Sequence, residues 1–418
     1  MTDELARRFF FRLFAGIRNE RLEVVDRGHR YAFGPAEAPL SAVVFVRSPH
    51  VWRQLLRGST GLAETYREGS WDADDMVSLI RIAARNMGAL DRARKRWHPL
   101  LHGVQRLRRM VPVNDQAGSR KNIAAHYDLG NQLFSLFLDP TMMYSCAYFE
   151  SPESGLEQAQ LAKLERICKQ LQLGPDDHLL EIGTGWGAMA VHAASRYGCR
   201  VTTTTISKEQ HEVAERRVRE AGLEHLVTVL HEDYRELTGT YSKLVSIEMI
   251  EAVGWQYFDT YFHHCSELLE PDGLMLLQAI TIDDRAYEVE KASKSFINTH
   301  VFPGGCLPSL EVIHRCVGRQ TDMRTIWLDD ITEHYGETLR RWREAFLASA
   351  AEADSLGYDA SFRRMWELYL AYVEAGFREC RVRDVQMVLA KPEWRATLPA
   401  GGLAPRLAAE HALGDLVH

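Results

Sequence analysis

The sequence predicts an α/β protein in which a doubly wound, mainly parallel sheet follows a smaller, mainly helical N-terminal domain. The chain has 418 residues, of which 46% are hydrophobic, and this is enough for one full-size core and one smaller core. Between residues 156 and 388, apolar strand patterns alternate with helical patterns. The polar stretch over residues 113–120 has the composition of a linker. We therefore expect an N-terminal domain over residues 1–115, a larger domain over residues 116–395 and a tail over residues 396–418.

The N-terminal domain opens with a predicted amphipathic helix over residues 4–18. Its apolar residues at helical spacing are Phe9, Phe10, Leu13, Phe14 and Ile17, and its basic residues are Arg7, Arg8, Arg12 and Arg18. Such a helix can lie in a bilayer interface or pack on its own domain, and the pattern favours neither. Residues 22–46 are predicted to form short strands, and residues 51–90, including Trp71 and Asp72, to form helices.

The charge is divided unevenly along the chain. Up to Lys121 there are 22 Lys and Arg against 13 Asp and Glu, whereas the remainder has 28 against 44, which gives the net charge of −7. A basic front half on an acidic body predicts an anionic partner, either nucleic acid or the cytoplasmic leaflet of a membrane. The most basic stretch, residues 92–109, is also consistent with the solvated face of a helix.

Apolar runs and cysteine spacing limit the class of protein. No run approaches the ~18 consecutive apolar residues of a spanning helix, and the first residues lack the pattern of a signal peptide. The seven cysteines include no CxxC pair, which argues against a disulfide framework and against a zinc ribbon. We expect a cytoplasmic protein with reduced thiols and no metal site.

The larger domain has seven strand candidates. They cover residues 179–182, 200–206, 227–230, 243–249, 274–282, 323–327 and 385–389, and helices are predicted over residues 156–171, 208–221 and 257–269. After the fifth strand, residues 283–310 form a connection longer than a simple turn requires. Connections of this length are usually functional lids or binding loops.

A glycine-rich turn joins the first of these strands to its helix. Residues 181–187 read EIGTGWG, and the three glycines let the backbone approach a ligand without a Cβ in the way. A dinucleotide fingerprint would read GxGxxG with an acidic residue about 20 positions later, but here the second strand ends in threonines. Both differences favour S-adenosylmethionine over NAD. Asp233 and Tyr234 are placed to meet an adenine, although by themselves they are more typical of a surface turn.

Five motifs carry a family resemblance. They read NIAAHYDLGN at residues 122–131, YSCAYF at 144–149, EIGTGWG at 181–187, SIEMIEAVG at 246–254 and FPGGCLPS at 302–309. In this order and at these spacings, they resemble the cyclopropane-fatty-acyl-phospholipid synthase family and the related tuberculostearic-type fatty-acyl methyltransferases. The resemblance covers about residues 120–389 and implies a Rossmann-like class I methyltransferase sheet. The N-terminal domain resembles the lipid-binding domain of the phospholipid-acting members more loosely.

The resemblance implies a set of cofactor-binding residues by position. The methionine part of S-adenosylmethionine would meet Tyr144 and Ser145, and the glycine-rich turn would contribute Glu181, Gly183, Gly185 and Gly187. The ribose region would meet Thr204, Thr205 and Gln210. The adenine would lie between Asp233 and Tyr234.

The resemblance also implies a bicarbonate site. Its family holders correspond to Cys146, Glu251, Ile280 and Tyr335, while a fifth holder, a histidine in the family, is Gln278 here. A glutamine can donate a hydrogen bond to an anion but cannot take up a proton. We therefore expect either that the ion is held differently or that the proton acceptor has changed. These five residues are the catalytic candidates.

The implied reaction is methyl transfer to the double bond of an unsaturated acyl chain in a phospholipid. Attack by the alkene leaves a carbocation, which aromatic faces can stabilise. The aromatic candidates are Tyr144, Tyr148, Trp186, Phe302 and Tyr335, of which Tyr335 and Tyr148 are favoured and the others are more simply explained by core packing. Val373 stands where many family members have a cysteine once thought catalytic, which argues against a thiolate nucleophile.

The position of the base decides the product. Loss of a proton from the added methyl group with ring closure gives a cyclopropane, and loss without closure gives a methylene- or methyl-branched chain of the tuberculostearic type. With Gln278 in place of the family histidine, the two products are about equally expected. Glu251 would orient the bound anion, although a cap of the following helix is also consistent with its position.

The expected partners follow from the same resemblance and from the charge pattern. They are a phospholipid bilayer surface, a second copy in a homodimer and, for a branched product, a separate reductase, without nucleic acid. The protein would associate peripherally with the inner face of the membrane. The basic charge of the front half would also suit an RNA methyltransferase. That half, however, carries phenylalanines at helical spacing instead of an RNA-binding motif. A non-catalytic lipid-binding module is disfavoured by the intact cofactor motifs.

Overall fold

The first part of the chain folds into a small sheet covered by helices. The computed structural model describes residues 2–86, 130–291 and 295–395. In residues 2–86 the strands are β1 (Arg21–Asp26), β2 (His29–Phe33), β3 (Ser41–Val46) and β4 (Trp71–Ala73), and the helices are α1 (Asp3–Phe14), α2 (Val51–Gln54), α3 (Ser59–Arg67) and α4 (Met76–Asn86). The strand order is β2-β1-β3-β4, and β1 and β3 are parallel. Helix outweighs strand, as predicted.

The segment at Trp71 and Asp72 is a strand, and the prediction of a helix there is wrong. Trp71 pairs with Val46 in an antiparallel ladder. The indole N–H of Trp71 donates to Thr65 Oγ1 at 3.1 Å, and its ring lies 4.8 Å from the ring of Tyr66. These contacts with the preceding helix place the segment at the sheet edge. Such a tertiary effect overrides local propensity.

Helix α1 packs on its own domain with one face and leaves apolar side chains exposed on another. The ring of Phe11 lies 5.4 Å from that of Trp52 and 5.3 Å from that of Phe33. Leu5 and Phe9 are 54% and 42% exposed. The packing alternative is therefore correct for one face of this helix, and an exposed apolar pair remains on the other.

A seven-stranded sheet forms the centre of the larger part, as predicted. Its strands are β5 (His178–Ile182), β6 (Arg200–Thr204), β7 (Val227–Leu230), β8 (Tyr241–Ile247), β9 (Leu269–Ile282), β10 (Arg324–Asp330) and β11 (Val382–Ala390). The order is β7-β6-β5-β8-β9-β11-β10, in which β5 to β9 are parallel and β11 is antiparallel to both of its neighbours, β9 and β10. The order reverses between β5 and β8. In open α/β sheets, ligands bind outside the carboxyl ends of the strands at such a point.

Helices cover both faces of this sheet. They are α5 (Asn131–Ser135), α6 (Leu156–Gln170), α7 (Ala188–Tyr197), α8 (Lys208–Glu220), α9 (Phe258–Glu267), α10 (Asp284–Glu290), α11 (Leu310–Gln320), α12 (Thr332–Ala348), α13 (Ala350–Ser355) and α14 (Ala360–Arg378). The helices predicted in the larger domain are present with ends within two residues of the prediction.

Helix α14 joins the two parts of the chain. The hydroxyl of Tyr66 donates to Glu367 at 2.8 Å, and the guanidinium of Arg364 donates to the carbonyl oxygen of Trp71 at 2.8 Å. One hydrophobic cluster contains buried residues from α3, α4, α12 and α14. The N-terminal part therefore shares a core with the larger part.

The long connection after β9 contains α10 and a π-helical turn, Ile297–Val301. The backbone N–H of Phe296 donates to Ser59 Oγ at 3.1 Å, so the connection contacts the N-terminal part. The predicted linker at 113–120, the basic stretch at 92–109 and most of the motif at 122–131 lie outside the described residues. Within the described ranges, no helix is both long and apolar enough to cross a membrane.

Candidate active site

A large cavity extends from the carboxyl ends of the central strands to the N-terminal helices. Its volume is about 1670 Å³, whereas pockets for one small molecule are typically about 300–1,000 Å³. The walls come from the turn after β5, from the ends of β6, β8 and β9, and from α1, α4 and α14. This cavity has room for a cofactor and a second ligand.

Most of the predicted site residues line this cavity. The predicted residues in its wall are Tyr144, Ser145, Glu181, Gly183, Gly185, Thr204, Thr205, Gln210, Asp233, Tyr234, Glu251, Ile280 and Tyr335. Cys146, Gly187 and Gln278 are not part of the wall. The structure thus brings residues from four of the five motifs, together with strand ends, to one place.

The glycine-rich turn presents open backbone to the cavity. Gly185 has φ +52°, and a Cβ added there would meet no heavy atom within 4 Å. Gly187 has φ +88°, and a Cβ added there would lie 3.1 Å from the Cα of Ala214. Glu181 accepts a hydrogen bond from Thr203 Oγ1 at 2.6 Å, and burial raises the pKa of Glu181 to about 7. Gly187 therefore serves packing of the turn on α8, while Gly185 leaves space for a ligand.

The threonines after β6 form a polar wall. Thr204 Oγ1 donates to the carbonyl oxygen of Glu232 at 2.6 Å, and Thr205 Oγ1 donates to Gln210 Oε1 at 2.9 Å. The hydroxyl oxygens still have lone pairs that can accept hydrogen bonds from a ligand, and the side-chain N–H groups of Gln210 can donate to one. These are suitable partners for ribose hydroxyls.

Asp233 and Tyr234 are buried in the cavity wall, so their interpretation as a surface turn is wrong. They are 1% and 9% exposed. Arg235 donates to Asp233 at 2.7 and 2.8 Å, which holds the carboxylate in place. The ring of Tyr234 lies 5.5 Å from that of Tyr261, and burial raises the pKa of Tyr234. The pair forms a mixed polar and aromatic pocket.

A buried lysine stands behind the methionine side of the predicted cofactor site. Lys163 on α6 is 0% exposed, and its ammonium donates to Ser145 Oγ at 2.6 Å. Burial lowers the pKa of Lys163 to about 8, against the attraction of nearby carboxylates including Glu248. Tyr144 hydrogen-bonds through its hydroxyl to the hydroxyl of Tyr369 at 2.7 Å. Lys163 therefore fixes Ser145 and supplies positive charge.

The carboxylate of Glu248 lies at the centre of the predicted anion site. Its Oε1 accepts the backbone N–H of Cys146 at 2.8 Å and an amide N–H of Gln278 at 2.9 Å. Its Oε2 accepts the hydroxyl of Tyr335 at 2.6 Å. Glu248 also lines the cavity, and protein donors hold both oxygens of its carboxylate.

The carboxyl group of Glu251 accepts a hydrogen bond from another of the groups that were predicted to hold the anion. Its Oε1 accepts the backbone N–H of Ile280 at 2.5 Å, while its Oε2 is buried without a hydrogen-bond partner in the described part of the chain. Burial, and then the charge of Glu248, raises the pKa of Glu251 to about 8. The following helix α9 is not capped by Glu251. The alternative of a helix cap is therefore wrong.

Gln278 belongs to a polar network between two strands. Its amide also donates to Asp384 Oδ2 at 2.9 Å, and its Oε1 accepts from Gln386 at 3.1 Å. Gln278 and Gln386 are direct cross-strand partners of β9 and β11, which explains their contact. Burial raises the pKa of Asp384 well above its ordinary range.

The structure disagrees with the expected bicarbonate site. Cys146, Gln278 and Tyr335 donate to Glu248, and Ile280 donates to Glu251. A bound bicarbonate would have to lie against two carboxyl groups after losing its hydrogen-bond donors, which is unfavourable in a buried site. We therefore assign no step to bicarbonate.

The aromatic candidates divide into two groups. Tyr144, Trp186, Phe302 and Tyr335 line the cavity. Tyr148 does not, because its ring packs 4.4 Å from the ring of His334 and lies under the guanidinium of Arg166. The preference for Tyr148 as a cation-stabilising ring is therefore wrong. Val373 lies in the cavity wall as an apolar surface.

Sequence reasoning missed Glu248, Lys163 and Asp384 as site residues. Glu248 has φ +50°, a left-handed conformation that costs a non-glycine residue about 1–2 kcal/mol. The signal available in the sequence was a carboxylate directly after a buried strand and three positions before Glu251. Among the described residues, no cluster of three or more metal-ligating side chains occurs.

We expect the variant Glu251→Gln to be more stable than the wild type at pH 8. The folded chain binds the Glu251 proton more tightly than the unfolded chain, since the pKa is about 8 instead of the ordinary 4.5. The free energy of unfolding therefore falls as the pH rises from about 4.5 to about 8, by about 2–4 kcal/mol for this group. Melting temperatures of both proteins at several pH values would measure this: the difference should grow from pH 5 to pH 8, and a constant difference would contradict the assignment.

Comparison with known proteins gives the family. The sequence profile described as mycolic acid cyclopropane synthetase matches residues 114–387. Tuberculostearic acid methyltransferase UfaA1 of Mycobacterium tuberculosis is 37% identical over 357 residues, which cover 83% of this chain and 82% of that protein. Cyclopropane-fatty-acyl-phospholipid synthase of Escherichia coli is 37% identical over 359 residues, which cover 83% of this chain and 86% of that protein.

A solved structure agrees with this relationship. Mycolic acid cyclopropane synthase CmaA1, complexed with SAH and CTAB, has a TM-score of 0.61 and 31% identity, covering 65% of this chain and 98% of that one. Fold and site together define an S-adenosylmethionine-dependent methyltransferase. The chain belongs to the mycolic acid cyclopropane synthetase family, whose enzymes methylate lipid acyl chains.

Proposed function

We propose that this enzyme transfers the methyl group of S-adenosylmethionine to the double bond of an unsaturated acyl chain in a membrane phospholipid and closes a cyclopropane ring. The observation that carries the proposal is the single cavity that reaches from the glycine-rich turn to the apolar face of α1. The methyl donor supplies an electrophilic carbon when bound at the turn. The protein positions the alkene, excludes water and accepts a proton.

The cavity has the composition that an acyl chain requires. Away from the turn its wall is apolar, with Leu79 and Ile82 from α4 and Val373 from α14. At the α1 end, Arg12 and Arg57 lie in the wall near exposed apolar side chains. An acyl chain can thus lie in the apolar part while its anionic headgroup remains near arginines.

A branched product without ring closure is the second candidate. Two observations favour it: the family histidine is replaced by Gln278, and Glu248 occupies the centre of the anion site. The relative named tuberculostearic acid methyltransferase is as similar to this chain as the cyclopropane synthase. Both products require removal of a proton after methyl transfer.

The test is lipid analysis after reaction with labelled donor. Purified enzyme is incubated with S-adenosylmethionine carrying a ¹³C-methyl group and with vesicles of a monounsaturated phosphatidylglycerol. We expect acyl chains heavier by one labelled CH₂ group. Mild hydrogenation then separates the products, because a methylene branch takes up hydrogen under conditions in which a ring persists. Absence of labelled lipid, from enzyme that binds S-adenosylmethionine, would contradict the proposed function.

We also propose that the enzyme associates peripherally with the membrane through α1. Exposed Leu5 and Phe9 supply apolar surface, and replacing both with glutamate should reduce sedimentation with anionic vesicles about tenfold or more. Leu161→Glu is the matched control, because this leucine is 41% exposed on α6 and does not line the cavity. Equal loss in the control, or no loss in the double variant, would contradict the α1 surface.

A further inference from the structure

The donors around Glu248 distinguish it from the neighbouring acids Glu251 and Asp384. Glu248 accepts hydrogen bonds from Cys146, Gln278 and Tyr335. Glu251 accepts one from the backbone of Ile280, and Asp384 accepts from Gln278. Donated hydrogen bonds stabilise the anionic form of a carboxyl group, and their scarcity favours the protonated form. Burial raises the pKa of Glu248, and the hydrogen bonds from Tyr335, Cys146 and Gln278 and the charge of Lys163 oppose this rise. Glu248 is thus the acid of this cluster with the most support for its carboxylate form.

The backbone at Glu248 indicates that the carboxylate is held there against a conformational preference. Its φ of +50° lies in the left-handed region, where glycine is the ordinary residue. The backbone N–H of Glu248 donates to the carbonyl oxygen of Gln278 at 2.8 Å, which fixes this conformation next to β9. A glycine at this position would relax the backbone and leave the three donors without an acceptor.

A cation beside the site balances the charge of Glu248. Lys163 is buried, and the carboxylates of Glu248 and Asp384 attract its proton. Gln278 bridges Glu248 and Asp384 by donating to both. The carboxylate therefore has a nearby counter-charge and a fixed orientation, in a residue that lines the cavity.

We infer that the carboxylate of Glu248 takes the place of an exogenous anion and is the base of the reaction. In the step, the bond from the donor sulfur to the methyl carbon breaks as the alkene electrons form a new carbon–carbon bond. A C–H bond of the resulting carbocation on the acyl chain then breaks, and its electron pair closes the ring or forms the branched alkene. The proton passes to Glu248, which returns it to solvent before the next turnover. This inference rests on the proposed function for its substrate.

Two variants at one position test the inference. Glu248→Gln keeps the shape and can still accept from Cys146 but cannot take the proton. We expect lipid methylation to fall by about 100-fold or more, in the range typical of a lost general base, with unchanged affinity for S-adenosylmethionine by calorimetry. Glu248→Gly relaxes the backbone and leaves the three hydrogen-bond donors available to bind an anion. We expect it to be inactive without bicarbonate and to regain activity when bicarbonate is added, whereas the wild type is indifferent to bicarbonate.

A binding measurement separates this inference from the proposed function. Calorimetry with bicarbonate alone should detect binding to Glu248→Gly and none to the wild type, whichever lipid is the substrate. Bicarbonate binding by the wild type, bicarbonate-dependent activity of the wild type, activity retained in Glu248→Gln, or no bicarbonate binding by a folded Glu248→Gly would each overturn the inference. If the wild type labels no lipid but the binding results are as expected, the proposed function fails and the anion-site assignment stands.

Discussion

Replacement of Gly185 with leucine is expected to abolish binding of S-adenosylmethionine, lowering the affinity by more than about 100-fold. Gly185 lies in the cavity wall, and a Cβ there meets no protein atom within 4 Å, so a side chain at this position would enter the space for the ligand. Isothermal titration calorimetry measures the effect directly. Unchanged affinity would exclude the turn as the cofactor site.

Gly222→Leu is the matched control for this prediction. Gly222 also has a positive φ, of +68°, and also has no protein atom within 4 Å of an added Cβ, but it does not line the cavity. Both variants therefore carry the strain of a side chain in the left-handed region, about 1–2 kcal/mol. If both lost binding equally, backbone strain and not occupation of the cavity would be the cause.

Replacement of Lys163 with methionine is expected to lower the free energy of unfolding at pH 7 by about 3–5 kcal/mol, the usual effect of removing one partner from buried charges. Lys163 is fully buried among carboxyl groups, and its pKa of about 8 leaves it charged at pH 7. Its removal deprives Glu248 and Asp384 of their buried cation. Denaturant unfolding measures the loss.

Lys169→Met controls for removal of a lysine from the same helix. Lys169 is 70% exposed and contacts Glu165 at 3.3 Å on the surface. Exposed ion pairs contribute about 0–1 kcal/mol, so this variant should remain close to the wild type. Equal destabilisation of the two variants would show that the helix, and not the buried charge, causes the effect.

The sequence was sufficient to predict the central sheet because each strand is a short apolar run between turn residues. Strand β7 was predicted with the observed ends, and β5 within one residue. It was also predictable that most of the residues proposed for the cofactor line one cavity, because many of them follow strand ends within contiguous motifs. At the N-terminal sheet, Trp71 was assigned to a helix because its strand partner, Val46, is distant in the sequence.

The acid cluster could not be predicted for a related reason. Glu248 acquires its partners from Cys146, Gln278 and Tyr335, which are separated from it by 102, 30 and 87 positions. No repeating pattern in the sequence indicates that these residues lie close together in the fold. Lys163 likewise has the appearance of a solvent-facing helix residue in the sequence, and only the fold places it in the interior.

The contacts of α14, and of Glu379 directly after it, with the N-terminal part can form only late in synthesis. Arg81 and Arg85 each donate to Glu379 at 2.7 Å, about 300 positions later in the chain. At about 5–20 residues per second, roughly 15–60 seconds of synthesis separate the two elements. During that interval the surface of α3 and α4 that α14 later covers lacks this partner. The nascent chain therefore exposes this surface until α14 has emerged from the ribosome.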